Sequence, residues 1–302
     1  MTEQSAPAAG RHLAAEIATQ PDDWLRAAAT AAKHTEALPR PGERVAVIGC
    51  GTSFYMAQSY AVRRERAGHG ITDAFAASEH ALDRGYDRVL AISRSGTTTE
   101  VLRALRELPP GQAATAITAD GRTPIVDLAG QVVLLAEADE RSVVQTRFAT
   151  STLALLRAHL GEELEPVAEQ ARAALRGAPP AQLRSAEQVT FLGRGWTVGL
   201  AHEAALKLRE SAQLWTESYP AMEYRHGPIS IAAPGRVVWA FGEVPDGLAE
   251  QVRATGAHFE HAPVDPLAEL VRVHRLCLDV AAARGLDPDR PRHLTRSIIL
   301  TS

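Results

Sequence analysis

Ser93-Arg94-Ser95-Gly96-Thr97-Thr98-Thr99-Glu100 is the stretch on which the reading of this chain turns. The apolar run Val89-Leu90-Ala91-Ile92 leads into it and reads as a buried parallel strand. Beyond it, Val101 to Leu108 repeats apolar residues at helical spacing. Thr97 and Glu100 stand in the S/T-x-x-E arrangement of a capping box, which predicts a helix starting there. A hydroxyl-rich loop between a strand's carboxyl end and a helix's amino end suits a phosphate. Free N–H groups and the helix dipole face the anion, and Gly96 lets the backbone come close. An ordinary capped helix with surface serines fits the same residues, although capping employs only some of the hydroxyls. Neither G-x-x-x-x-G-K nor a post-strand G-x-G-x-x-G is present.

Working outward, the same strand-then-helix plan recurs. Arg44 to Gly49 is a buried strand ending in Gly49-Cys50-Gly51-Thr52-Ser53, with a helix to about Arg66. Ile71 to Ala76, Arg88 to Ile92, Ala113 to Thr118 and Val132 to Ala136 read as further strands. Ahead of them Leu13 to about Leu38 is helical, with Pro21 near a helix start and Pro39, Pro41 and Gly42 marking a boundary. The first dozen residues read as disordered. Helices from Ser142 to Arg176 lead to the linker Gly177-Ala178-Pro179-Pro180, after which the plan restarts. Val189 to Gly195 is again strand-then-glycine. A helix from Thr197 to Leu214, a strand from Val237 to Phe241, a helix from Asp246 to Thr255, a strand from His258 to His261 and a helix from Leu267 to Ala283 follow. The expected class is α/β, two αβα domains each with a mainly parallel sheet flanked by helices. The expected divisions are 1–40 as a helical arm, 41–176 and 181–285 as the two domains, and 286–302 as a tail. The second half lacks a serine/threonine-rich loop at the corresponding place, so one phosphate cradle is expected.

Composition narrows the function classes. The chain has 302 residues, 45% hydrophobic and 23% charged, which supplies two cores. A formal net charge of −4 without a basic block argues against a nucleic-acid partner. No apolar run approaches the roughly 20 residues of a membrane span, and the amino terminus lacks a signal peptide's apolar core. Cys50 and Cys277 sit in apolar surroundings with no metal-ligand spacing, so the expectation is a reducing cytoplasm; separately, no metal or organic cofactor is expected.

The second informative stretch runs from His202 to Pro228. On a helix, Glu203, Lys207 and Glu210 share one face. Spacing alone favours a surface ion-pair ladder, worth about 0.3–0.5 kcal/mol per pair. Trp215 to Pro228 reads as an irregular binding segment in which Gly227-Pro228 fixes the backbone after His226. That histidine is either structural or a proton carrier near neutral pH.

Five motifs in order carry a family resemblance. They are Gly49-Cys50-Gly51-Thr52-Ser53, Ser93 to Thr98, Glu203-Ala204-Ala205-Leu206-Lys207-Leu208-Arg209-Glu210, Glu223-Tyr224-Arg225-His226-Gly227-Pro228 and Pro291-Arg292-His293-Leu294-Thr295-Arg296-Ser297. Together they resemble the sugar isomerase (SIS) family, and more narrowly the isomerase half of glucosamine-6-phosphate synthase, over nearly the whole chain from Glu16. The resemblance implies two SIS domains and a homodimer, with the active site at the subunit boundary closed by the tail. It implies that Ser53, Ser93, Ser95 and Thr98 hold a sugar phosphate, with Thr52 and Lys207 as further contacts. Glu210 would move the proton between C1 and C2, its pKa raised by burial, and His226 of a partner subunit would open the ring.

The departures from the family pattern set the finer expectation. The chain has no room for the synthase's glutaminase domain, so glutamine-dependent amination is not expected. Arg94 stands where the family has Gln and adds a charged phosphate or carboxylate contact. Arg296 replaces a lysine that forms an imine with the ketose; arginine stays protonated and cannot. Arg296 is then either a contact to a sugar hydroxyl or carboxylate, or an anchor for the tail. Ring opening and C2 deprotonation survive these losses. The balance tilts narrowly to elimination of water from N-acetylglucosamine 6-phosphate, as a lyase. An isomerase–deaminase of glucosamine 6-phosphate is the alternative, and a non-catalytic sugar-phosphate sensor the third reading.

Overall fold

The computed structural model describes residues 9–300. Helix α1 (Arg11–Lys33) opens the chain and runs unbroken through Pro21, which the sequence placed near a helix start. Proline removes one backbone hydrogen bond, and the burial of Leu13, Ile17 and Trp24 against later helices holds the segment helical. The helix begins inside the stretch expected to be disordered; residues 1–8 of that stretch lie outside the described residues.

The first domain follows as β1 (Val45–Gly49), α2 (Thr52–Arg66), β2 (Thr72–Ala76), β3 (Arg88–Ile92), α3 (Thr99–Arg106), β4 (Ala113–Thr118), α4 (Ile125–Leu128), β5 (Gln131–Leu134), α5 (Arg147–His159) and α6 (Glu165–Arg176). All pairings are parallel, in the order β2-β1-β3-β4-β5. The second domain contains α7 (Ala181–Arg184), β6 (Gln188–Gly193), α8 (Thr197–Ala212), β7 (Trp215–Pro220), β8 (Arg236–Phe241), α9 (Leu248–Ala254), β9 (His258–Glu260) and α10 (Pro266–Ala283). Its sheet, β7-β6-β8-β9, is again parallel and repeats the first order, less one strand. The α/β class and the doubled plan expected from the sequence are what the structure has. Among the described residues no helix is long and apolar enough to cross a membrane.

One strand was not foreseen. Trp215 to Pro220, read as irregular, is β7, pairing in register with β6. It is an edge strand, so polar Thr216, Glu217 and Ser218 suffice where a central strand would be apolar throughout.

Strand order fixes where a ligand can lie. In both sheets the order reverses beside the first strand, between β1 and β3 and between β6 and β8, and crevices open there at the strands' carboxyl ends. In the first sheet that crevice carries Gly51-Thr52-Ser53 and Ser93 to Thr98. In the second, Arg194 and Glu243 pair with each other at the matching place. The two halves are locked at close range by Gly199 of α8. A Cβ there would meet Tyr55 O at 2.3 Å and Ser59 Oγ at 2.4 Å, so only glycine lets α8 lie this close to α2. The consequence is that the polar face of α8 reaches the crevice of the first sheet.

Candidate active site

The crevice between β1 and β3 deepens into a cavity of about 200 Å³. Thr52 and Ser53 enter it from the first turn of α2, and Ser93, Arg94, Ser95 and Thr98 from the loop before α3. Lys207 and Glu210 come from α8, and Arg296 from the tail. The structure therefore brings nine of the ten sequence-predicted residues to one cavity. The exception is His226, which lies exposed on a 3-10 turn (Glu223–His226) and does not line it.

The hydroxyl cluster is held by its own backbone. Ser93 Oγ accepts from Gly96 N at 3.2 Å and Ser95 Oγ accepts from Thr97 N at 3.3 Å, while Thr98 Oγ1 lies 3.5 Å from Ser95 Oγ. Gly96 has φ +61°, and a Cβ on it would lie 2.0 Å from Thr123 Oγ1. Helices α2 and α3 both start at the cavity, so two positive dipole ends converge where an anion would sit. The predicted capping box does not form. The helix starts at Thr99 with Thr98 as N-cap, and Thr97 Oγ1 instead lies 2.9 Å from Ser297 Oγ. The tail caps this end in a different way: Ile298 O accepts from Thr99 N at 3.1 Å.

The face of α8 is not the surface ladder that spacing favoured. Glu203 and Lys207 are each 1% exposed, and Lys207 Nζ lies between Glu203 Oε1, 3.6 Å away, and Glu210 Oε2, to which it donates a hydrogen bond. Burial alone would lower the pKa of Lys207, but Glu203 and Glu210 outweigh it and the net shift is upward. The lysine is therefore an ammonium. Burial pushes Glu203 up to about 7 against the pull of Lys207, with Glu210 adding to the rise. The carboxyl that burial makes basic thus lies two turns along α8 from the expected base, and is the more deeply buried. Cys50 also lines the cavity, yet burial and then Glu100 push its thiol up to about 11, so it is no nucleophile at neutral pH.

Both arginines that depart from the family pattern hold the protein itself. Arg94, 6% exposed, donates to Ser142 O at 3.2 Å and to Arg296 O at 2.9 Å, and its guanidinium lies 3.5 Å from Glu140. Arg296 pairs with Asp139 and donates to Glu140 O. Of the two roles left open for Arg296, its geometry is that of a tail anchor. Further lining residues escaped residue-level reading, among them Val143, Gln145, Thr295 and Ser297. The last two sit in the tail motif, but Val143 and Gln145 lie where the sequence predicts helix from Ser142; the structure has a loop there and starts α5 at Arg147.

No family model matches the chain. Among curated relatives, the glutamine–fructose-6-phosphate aminotransferase (isomerizing) of Aeropyrum pernix is 30% identical over 321 residues, covering 84% of this chain and 51% of the relative. That of Sulfurisphaera tokodaii is 27% identical over 293 residues, with 85% and 50% covered. The chain spans about half the length of the curated relatives it matches. Among solved structures, the C-terminal domain of glucosamine-fructose-6-phosphate aminotransferase from Francisella tularensis superposes with a TM-score of 0.80 at 18% identity, covering 96% of this chain and all of that one. A glucosamine-6-phosphate deaminase from Thermotoga maritima gives 0.78 at 23%, covering 95% and 100%. At these identities the structures share the fold. With the ordered motifs, the doubled sheet and these relatives in hand, the chain has the doubled fold of these structures and resembles the sugar isomerase (SIS) family, more narrowly the isomerase half of glucosamine-6-phosphate synthase.

Proposed function

We propose that the chain is a phosphosugar isomerase acting on an amino-sugar 6-phosphate, releasing ammonia from the ketose-level product. The observation that carries this reading is the meeting, in one cavity, of a hydroxyl cradle at two helix amino ends with Glu210 held by a buried ammonium. The cradle binds the phosphate, which fixes the sugar so that Glu210 addresses its second carbon. Glu210 takes the C2 proton from the open-chain aldose. Returning a proton to C1 leaves a C2 imine, and water adds to it to expel ammonia and give the ketose.

Imine formation with an enzyme lysine finds no support in these side chains. Lys33 and Lys207 are the only lysines in the sequence; Lys33 is exposed at the last turn of α1, and Lys207 is held charged between carboxylates. Ring opening is assigned to His226, and because it lies outside this protomer's cavity, the proposal includes a homodimer in which a second copy delivers it. The relatives' names, which include isomerizing aminotransferases and a deaminase, move the balance from water elimination to isomerisation. Elimination from the N-acetyl form shares the first step and stays the second reading, favoured by the arginine at position 296.

One incubation series in heavy water separates the readings. Glucosamine 6-phosphate should exchange hydrogen and release ammonia as the ketose forms. An unsaturated-sugar absorbance from the N-acetyl substrate, with no ammonia from either, would move the assignment to the dehydratase. Absence of exchange with both substrates would leave only the sensor.

A further inference from the structure

A second cavity, of about 280 Å³, lies between α6, the linker at 177–180 and α10, and shares no lining residue with the catalytic one. Its walls are largely apolar, with Ala174, Pro179 and Leu183 on one side and Trp239 of β8 on another. Two arginines of α10 also face it, and they differ. Arg272 is committed: it donates to Glu269 at 2.7 Å, pairs with Glu260, and lies 5.1 Å above the Trp239 ring. The indole N–H is likewise occupied, donating to Glu269 at 2.6 Å. Arg275, half-buried, makes no hydrogen bond or ion pair among the described residues.

An arginine with no protein partner among the described residues, at the edge of an apolar hollow, leaves its guanidinium free to take an anion from solvent. A carboxylate matches its planar fork and can accept two hydrogen bonds from it, while the hollow offers an apolar body somewhere to be buried. The volume lies near the lower end of small-molecule sites, about 300 Å³, so the ligand is compact. We propose that this cavity is a second binding site, taking an aromatic or branched aliphatic carboxylate whose anionic end pairs with Arg275.

Indole-3-acetate is a suitable probe, titrated calorimetrically into the full chain with inorganic phosphate saturating the catalytic cradle. One molecule should bind per chain. Arg275→Ala should weaken binding at least tenfold, and Ala174→Trp, which fills the hollow, should abolish it. Both variants should keep the parent's affinity for inorganic phosphate, which reports that they are folded. Absence of binding to the parent chain overturns the proposal, as does binding that survives either substitution in a folded variant. Because the readout is binding, the result is independent of whether the catalytic cavity performs the proposed isomerisation.

Discussion

Lys207 Nζ stands 3.6 Å from Glu203 Oε1, and both side chains are 1% exposed. Removing one partner of such a buried pair leaves the other charge stranded, which typically costs about 3–5 kcal/mol. Lys207→Met should therefore destabilise the chain by that order in urea unfolding at neutral pH. The loss should shrink in acid as Glu203 takes up a proton. A double variant, Glu203→Leu with Lys207→Met, should be less damaged than Lys207→Met alone. If the single change is silent at every pH, the pair is not held as described.

Glu210 faces the hydroxyl cradle and is the carboxylate assigned to the proton transfer. Glu210→Gln should retain affinity for the sugar phosphate while losing hydrogen exchange at C2 by about 10²–10⁴-fold, the usual reach of a general base. Nuclear magnetic resonance in heavy water measures both quantities. Turnover at the parent rate would remove Glu210 from that role.

Gly96 is required by both its backbone angle and its neighbours. In Gly96→Ala the new methyl would collide with Thr123, at a φ that L-residues rarely adopt. The expected cost is about 1–3 kcal/mol in thermal unfolding, together with a loss of inorganic phosphate binding as the loop shifts. Retained phosphate affinity would show that the loop does not form the cradle.

Arg296 is predicted to act through the tail. Its ion pair with Asp139 is partly exposed, each side chain being 40% accessible, so closure gains only about 1 kcal/mol from it. Arg296→Ala should raise KM a few-fold and leave kcat within a similar factor. A fall in kcat beyond about a hundredfold at constant KM would assign Arg296 to the chemistry instead.

Glu16 of α1 supplies a pH prediction. Burial, and then the neighbouring Glu140, push its carboxyl up to about 7 from the ordinary 4.5. A group that binds its proton more tightly when folded stabilises the fold fully below its unfolded pKa. That contribution is lost as pH rises through the folded value. Stability should thus decline between about pH 4.5 and 7 on account of Glu16, and Glu203 acts in the same direction. Glu16→Gln should flatten the decline measured by urea unfolding at pH 5 and pH 8. An unchanged slope would place the proton elsewhere.

How much of this was legible follows from which signals are local. The apolar runs at Val45 to Gly49 and Val89 to Ile92, short and bounded by turn residues, marked buried strands, and the hydroxyl motif between strand and helix marked the candidate cradle. The edge strand at Trp215 was hidden because an edge tolerates polar residues. The face of Glu203 and Lys207 was misread because i, i+4 spacing says that two side chains share a side and nothing of what covers it. Here the cover is the first domain, brought in by Gly199. Arg94 and Arg296 could be recognised as departures, but their partners, Glu140 and Asp139, are set by tertiary contacts between distant segments.

The tail does two unrelated jobs. Its Asp287 and Asp289 accept hydrogen bonds from the N–H groups of Gly10, His12 and Leu13, so they cap the first helix, while residues 294–298 wall the cavity. Shortening the protein from its carboxyl side would uncap one end of the fold and unroof the candidate active-site cavity in a single cut. An inactive truncation would on that account say nothing about tail chemistry, and point substitutions are the only clean way to ask the question.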